Sequence, residues 1–308
     1  MQIFSLLNYV GHKSKLVDKL IPLFPSTIDG IFWDIFCGSC VVGLSTGFKD
    51  VNFVDTNEYL INLYSLITSD KFEEILENVI SKYNLTNSSR VPRSEYLKSP
   101  EIGTCTWHGK TIKNLHLDKL NSSGYSKLLF DFNNSVFDND ILQKSIAYMI
   151  LTIYGRNSNV SLKKDGKLQG GVGPLDYSIK TSKKLKEHIE VISGKTCNWI
   201  CADYSKINYS SNDFIYLDPP YLASSYKYTG WSEEDEKRLL DWIDTLNCKW
   251  ALSNTLVSGD EKNSLLDTWS KKYKVVELDK SYRKWATKGK SSAQKEIKET
   301  REIIVMNY

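Results

Sequence analysis

Apolar positions along this chain follow an α/β rhythm at both ends and lose it in between. "GIFWDIF" is a short apolar run ending near Gly38, which predicts a buried strand entering a turn. "VVGLSTGF" then predicts a helix start, "DVNFVDTN" a second strand ending at Asp55, and "EYLINLYSLI" a helix. Ahead of these, "KSKLVDKLIPLFP" has apolar residues at helical spacing and predicts a first helix stopping at Pro25. The rhythm returns in "TCNWICADYSKI", "DFIYLDPPY", "CKWALSN", "YKVVELD" and "REIIVMNY", all strand candidates. Among them, "WSEEDEKRLLDWIDTL" predicts a helix with Ser232 as N-cap, acids in the first turn and a stripe of Leu239, Leu240, Trp242 and Ile243. Strand, glycine turn, helix, strand is the opening unit of a doubly wound, Rossmann-like α/β sheet.

The middle differs. It holds the polar "NLTNSSRVPRSEY", a helix predicted in "ILQKSIAYMILTIYG", and "RNSNVSLKKDGKLQGGVGP", whose "KKDGK" is a hairpin signal. The expected organisation is one domain from residues 1–65 and 186–308, interrupted by a mainly helical domain over 66–185 that carries a β-hairpin.

Charge sharpens this division. The net charge is only +3, but residues 151–200 carry nine Lys/Arg against four acids, and 281–301 seven against two. Such patches suit a polyanion or a solvated lysine face. With no secretory signal and no long apolar run, the six cysteines point to free thiols in a cytoplasmic protein with no membrane partner.

"IFWDIFCGSCVVGLS" tests three chemistries. Cys37 and Cys40 have metal-ligand spacing, but the pair straddles a strand end, so buried thiols are expected and no metal. A phosphate loop needs Lys and Ser/Thr after its second glycine, and Leu44 follows Gly43 instead. A dinucleotide loop needs a middle glycine for close approach to a pyrophosphate, and Cys40 stands there. With Asp55 positioned for ribose hydroxyls, adenosine with a non-phosphate tail fits better, and S-adenosylmethionine is such a ligand.

"DFIYLDPPY" is more specific. A strand delivers Asp218, Pro219 and Pro220 fix the backbone, and Tyr221 offers a flat face. The Asp218 carboxylate and the Pro219 carbonyl can accept both N–H groups of an exocyclic amine. That favours a pyramidal nitrogen whose lone pair can attack a sulfonium methyl, a reaction that needs only alignment and electrostatics. A base in a duplex must be flipped out to reach such a site.

With these motifs the chain resembles the Dam-like (D12 class) DNA adenine-N6 methyltransferases, over most of its length. The resemblance implies an S-adenosylmethionine-dependent methyltransferase fold, a catalytic domain at 1–65 and 186–308, and a target-recognition domain at 66–185. "NYVGHKSKL" is similar to the family's aromatic-x-Gly-x-Lys start, implying donor-binding roles for Tyr9 and Lys13. "DIFCGSCVVGLS" resembles its D-x-F-x-G-x-G loop through Asp34, Phe36 and Gly38, departing at Cys40; "FVDTNEYLINLY" implies Asp55 on the donor ribose. "CADYS" resembles the motif around the donor adenine, at Asp203 and Tyr204, while "ALSN" and "KETREIIVMNY" resemble later family strands. Asp218 then lies near both donor and target base.

Family members that recognise GATC tend to carry N-G-x-x-R-x-N-x-x-G-x-F-N-x-P-x-G on a hairpin. Aligned from Asn157, this chain keeps Asn157, Gly166 and Gly173 but has Ser161 and Lys163 at the Arg and following Asn positions. Base-reading residue types are replaced, which predicts a target other than GATC. Arg156, Asn157, Lys163, Lys164 and Lys167 are the DNA-binding candidates, with Lys288, Lys290 and Lys295 as phosphate contacts. The expected partners are double-stranded DNA and, in restriction-modification, a cognate restriction endonuclease; a stand-alone phage or bacterial methylase is the other setting. RNA adenine methylation and an idle DNA-binding module remain as alternatives.

Overall fold

A computed structural model describes residues 2–7, 11–96, 98, 104–107, 110–113, 117–158, 160–163, 165–223, 230–278 and 300–308, with backbone alone for 104–107 and 110–113. Tyr9, Lys164, Lys288, Lys290 and Lys295 lie outside the described residues.

The first helix is shorter than its apolar spacing predicts. α1 covers only Val17–Leu20 and passes into a single 3-10 turn, Ile21–Leu23. Pro22 is the reason: without an N–H it cannot continue the α-helical ladder. β1 (Phe32–Ile35), α2 (Val41–Ser45), β2 (Asp50–Asp55) and α3 (Glu58–Leu66) then follow as expected.

The middle of the chain is mainly helical. α4 (Phe72–Lys82) and α5 (Arg93–Tyr96) precede a small ribbon of β3 (Thr104–Trp107) and β4 (Lys110–Lys113). α6 (Asp118–Asn133) and α7 (Ile141–Tyr154) come next. A hairpin of β5 (Ser161–Leu162) and β6 (Leu168–Gln169) turns at Gly166, whose φ of 80° favours glycine. α8 (Ile179–Ser193) returns the chain to the sheet.

There β7 (Thr196–Cys201), β8 (Phe214–Leu217), α9 (Glu233–Ile243), β9 (Lys249–Ser258), β10 (Glu261–Lys262), α10 (Ser264–Trp269), β11 (Lys274–Leu278) and β12 (Thr300–Met306) complete the fold. Ser232 caps α9 in a reciprocal capping box with Asp235.

The strands align as β11-β12-β9-β8-β1-β2-β7, with β10 paired to β9. β7, β2, β1, β8 and β9 run parallel; β12 runs antiparallel to both of its neighbours. This is a mixed α/β fold with a mostly parallel central sheet. β1 and β8 are buried along their whole length, as parallel strands covered on both faces must be. On one face Phe32, Phe53, Phe214 and Tyr216 join a core that also takes in α3, α6 and α7; on the other, Trp33, Ile35, Ile215, Leu217 and Trp250 pack with α9 and α10. Each such buried large side chain contributes about 1.5–3 kcal/mol.

Cys37 and Cys40 are buried thiols, as expected, but Cys197 is half-buried and Cys201 exposed. β7 is the sheet edge, so one side of these residues has no neighbouring strand. Among the described residues no helix is long and apolar enough to cross a membrane, and no cluster of His, Cys, Asp or Glu is placed to hold a metal ion.

Candidate active site

The chain runs outward from β1 through β2 to β7, then crosses back to place β8 on the other side of β1. Ligands of open α/β sheets bind at the C-terminal strand ends where the order reverses. Two turns flank that crevice here: residues 36–40 after β1, and Asp218–Tyr221 after β8.

The first turn coils tightly. Phe36 (φ 59°), Gly38 (φ 44°) and Cys40 (φ 58°) are all left-handed. Only glycine adopts this region freely, so Phe36 and Cys40 each carry a cost of about 1–2 kcal/mol. Two carboxylates hold the coil. Asp34 Oδ2 accepts the Gly43 N–H at 2.8 Å, and Asp55 accepts the N–H groups of Gly38 at 3.0 Å and Asn57 at 2.8 Å. A Cβ on Gly43 would sit 2.6 Å from the Phe53 ring and 2.9 Å from Asp34 Oδ2, so the second glycine of the motif serves close packing. Cys40 is fully buried beneath the coil, its thiol 3.7 Å from the Gly38 carbonyl, whereas Cys37 faces the cavity.

Burial raises the Asp34 carboxyl to about 8, against the pull of the Gly43 N–H. Asp55 is raised for the same reason, opposed by the N–H groups of Asn57 and Gly38.

An aromatic wall stands opposite. Phe36 lies 5.3 Å from the Tyr204 ring and meets Trp231 edge-on at 5.8 Å. The Arg238 guanidinium sits 5.6 Å from Tyr204 and pairs with Asp203 at 3.5 Å. Partial burial works against the charge on Asp203, but the hydroxyl and N–H of Ser205, with Arg238, outweigh it and hold its carboxyl below the ordinary value. Behind the wall Glu236 is fully buried and accepts from Trp231 Nε1 at 2.8 Å, Asn254 at 3.0 Å and Asn263 at 2.7 Å.

The charged centre lies after β8. Lys13 is buried and donates to both Asp218 oxygens, at 2.5 and 2.6 Å, and to the Gly11 carbonyl at 3.1 Å. Its ammonium also lies 4.8 Å from the Tyr221 ring centre. The Tyr221 hydroxyl stands 2.9 Å from Asp218 Oδ1 and 3.1 Å from Glu302 Oε1.

Lys13, Asp34, Phe36, Gly38, Asp55, Asp203, Tyr204 and Asp218–Tyr221 therefore all line one cavity of about 480 Å³, within the range of small-ligand sites. Trp231, Arg238 and Asn57 join them, and Glu302 stands behind Tyr221; sequence reasoning named none of these four. Arg238 lies on the helix whose capping signal was read and Trp231 just ahead of its N-cap, so that signal was the available clue. The hairpin candidates form a separate group. Arg156, Asn157, Lys163 and Lys167 are exposed on or beside β5–β6, and none of them lines the cavity.

The chain is similar to known proteins along most of its length. The profile of the D12 class N6 adenine-specific DNA methyltransferases matches residues 9–283. The Type II methyltransferase M.FokI of Planomicrobium okeanokoites is 29% identical over 322 residues, covering 99% of this chain and 43% of that protein. Modification methylase StsI of Streptococcus sanguinis is 28% identical over 321 residues, again 99% of this chain and 43% of the relative. The Type II methyltransferase M1.LlaDCHI of Lactococcus lactis subsp. cremoris is 24% identical over 311 residues, 98% of this chain and 94% of the relative. The chain thus spans less than half the length of the first two relatives.

Proposed function

The chain belongs to the D12 class of N6 adenine-specific DNA methyltransferases, and from that membership we propose that it moves a methyl group from S-adenosylmethionine to the N6 amine of an adenine flipped out of double-stranded DNA. The observation that carries this reading is the convergence of Asp218, Asp55 and the Phe36–Tyr204–Trp231 wall on one cavity at the switch point of the sheet.

The residues suit the donor. Phe36, Tyr204 and Trp231 offer ring faces and edges to a purine, and Asp55 offers acceptors to ribose hydroxyls. The Asp55 and Asp218 carboxyls offer acceptor oxygens on the side of the cavity where a cation would lie. When bound, S-adenosylmethionine supplies an activated methyl group on a sulfonium. The protein's own part is alignment: the Asp218 carboxylate and the Pro219 carbonyl accept the amine hydrogens, Pro220 stiffens the turn, and Tyr221 bounds the target base. Lys13 must first loosen its hold on Asp218.

In this reading the helical region 66–185 reads the target. Arg156, Asn157, Lys163, Lys164 and Lys167 touch the duplex from the hairpin, and their departure from the GATC pattern points to another recognition sequence. M.FokI is named a Type II methyltransferase and StsI a modification methylase; the same role here pairs the chain with a cognate restriction endonuclease.

The test is methyl transfer by purified protein to plasmid DNA, with modified adenines mapped by sequencing. N6-methyladenine outside GATC, lost in Asp218→Ala, is the expected result. No modified adenine from the wild type, or normal activity in that variant, sinks the reading. Equal modification of a transcript moves the substrate to RNA.

A further inference from the structure

Glu302 is fully buried on β12, beside a register shift. At the step between Arg301 and Glu302 the pairing with β9 skips Leu256: Arg301 faces Val257, whereas Glu302 faces Thr255. β12 keeps its own alternation across the step, so Glu302 shares the face of Ile304 and Met306. Arg301 turns outward to Glu277, at 3.2 Å, and Glu302 turns inward to the charged centre.

Two groups meet it there. Tyr221 Oη lies 3.1 Å from Glu302 Oε1, and Lys13 Nζ lies 3.8 Å from the same oxygen. Lys13 meanwhile directs hydrogen bonds to Asp218 Oδ1, Asp218 Oδ2 and the Gly11 carbonyl. This arrangement poses a conflict. Asp218 is gripped by an ammonium through both oxygens, while methyl transfer needs the same carboxylate for the target amine. Releasing a buried ammonium from the carboxylate that it hydrogen-bonds is costly.

We propose that Glu302 is a positioning residue that serves as a standby counter-ion: it takes over Lys13 when Asp218 turns to the target amine. The proposal rests on the methyl-transfer reading of this site. The hand-off is short. Bringing Nζ from 3.8 Å to charge-assisted hydrogen-bond distance of Glu302 needs a shift of about 1 Å. Tyr221 links the two carboxylates, having one O–H within reach of both, so its proton can follow the ammonium from one to the other. Among the described residues, Asp34 from β1 and Tyr216 from β8 feel the Asp218 charge, and His12, beside Lys13 in the chain, feels the ammonium.

Glu302→Gln tests the proposal, because it keeps the shape and an acceptor for Tyr221 while removing the charge. Single-turnover methyl transfer to plasmid DNA is expected to fall at least about tenfold, with S-adenosylmethionine affinity by calorimetry within about twofold of wild type. The limbs of the pH–rate profile should move, since a charge beside the ionised groups of this centre is lost. A residue that only filled space would leave those limbs in place. An unchanged rate or unmoved limbs overturns the proposal. Glu302→Asp keeps the charge at a longer reach, and its limbs should return toward wild type. If the Gln variant does not fold, the Asp variant decides: a reduced rate supports the hand-off, and a wild-type rate overturns it. Wild-type protein that methylates no adenine fails the parent reading, and this proposal with it.

Discussion

The crevice coil and the β5–β6 hairpin are both short turns containing left-handed residues, yet they are secured in opposite ways. Residues 36–40 and the helix start after them are gripped by buried Asp34 and half-buried Asp55, which accept backbone N–H groups. Among the described residues the hairpin is gripped at its base. Gly155 bridges Val172, the Gly173 N–H reaches the Tyr154 carbonyl at 2.7 Å, and Asn133 of α6 clamps the Leu168 backbone from both sides, at 2.8 and 2.9 Å. Beyond that base Ser161, Leu162, Lys163, Lys167 and Gln169 stand in solvent. Bond-making needs atoms fixed to fractions of an ångström. Reading a sequence needs a fixed platform with exchangeable side chains on it.

The largest expected effect breaks the crevice. Asp218→Ala should lower single-turnover methyl transfer by at least about 10²-fold, the scale of losing a preorganised polar contact at the reacting atoms. S-adenosylmethionine binding should partly survive. A loss below tenfold would mean that Asp218 does not meet the amine.

Next comes the coil's own support. The Asp34 carboxyl, at about 8 folded against an ordinary 3.8, keeps a proton that the unfolded chain has already lost. Asp34 therefore stabilises the fold fully only below about pH 4, and that contribution drains away as pH rises toward 8. Asp34→Asn removes the slope. Relative to wild type it should gain on the order of a few kcal/mol between pH 5 and pH 8 in urea unfolding, as burial-driven shifts of this size imply. Parallel pH curves for the two proteins would contradict this.

The hairpin should respond differently. Asn133→Ala breaks the clamp at a cost of about 1–2 kcal/mol, and the map of methylated adenines should spread to additional sequences. An unaltered map would show that the platform does not set specificity. Smallest of all, Lys167→Ala should reduce the slope of log affinity against log salt by about one, with little change in rate at saturating DNA. Asp34→Asn should leave that slope alone.

Much of the crevice was legible because its parts lie in short contiguous motifs. "DIFCGS" and "DPPY" each place their residues through one strand end and one turn. The Lys13–Asp218 ion pair was not legible, since its members are 205 positions apart and only the sheet brings them together. Glu302 was not legible either: alternation in "TREIIVM" puts it on the face of Ile304 and Met306, but only the folded sheet brings it to Lys13 and Tyr221. Trp231 was hidden by the wall it belongs to, whose members come from three separate segments. The first helix was over-read because apolar spacing spoke louder than Pro22.

The antiparallel position of β12, between β9 and β11, has a kinetic consequence. The charged centre draws on Lys13, which a ribosome makes early, and on Glu302, which it makes late. Closing a contact over so long a loop is entropically expensive, and contacts of this kind form late in folding. A nascent chain can therefore assemble the coil after β1 while its centre still lacks a carboxylate. Fraying of β12 should silence catalysis before the rest of the sheet opens, so that activity reports on the completed fold.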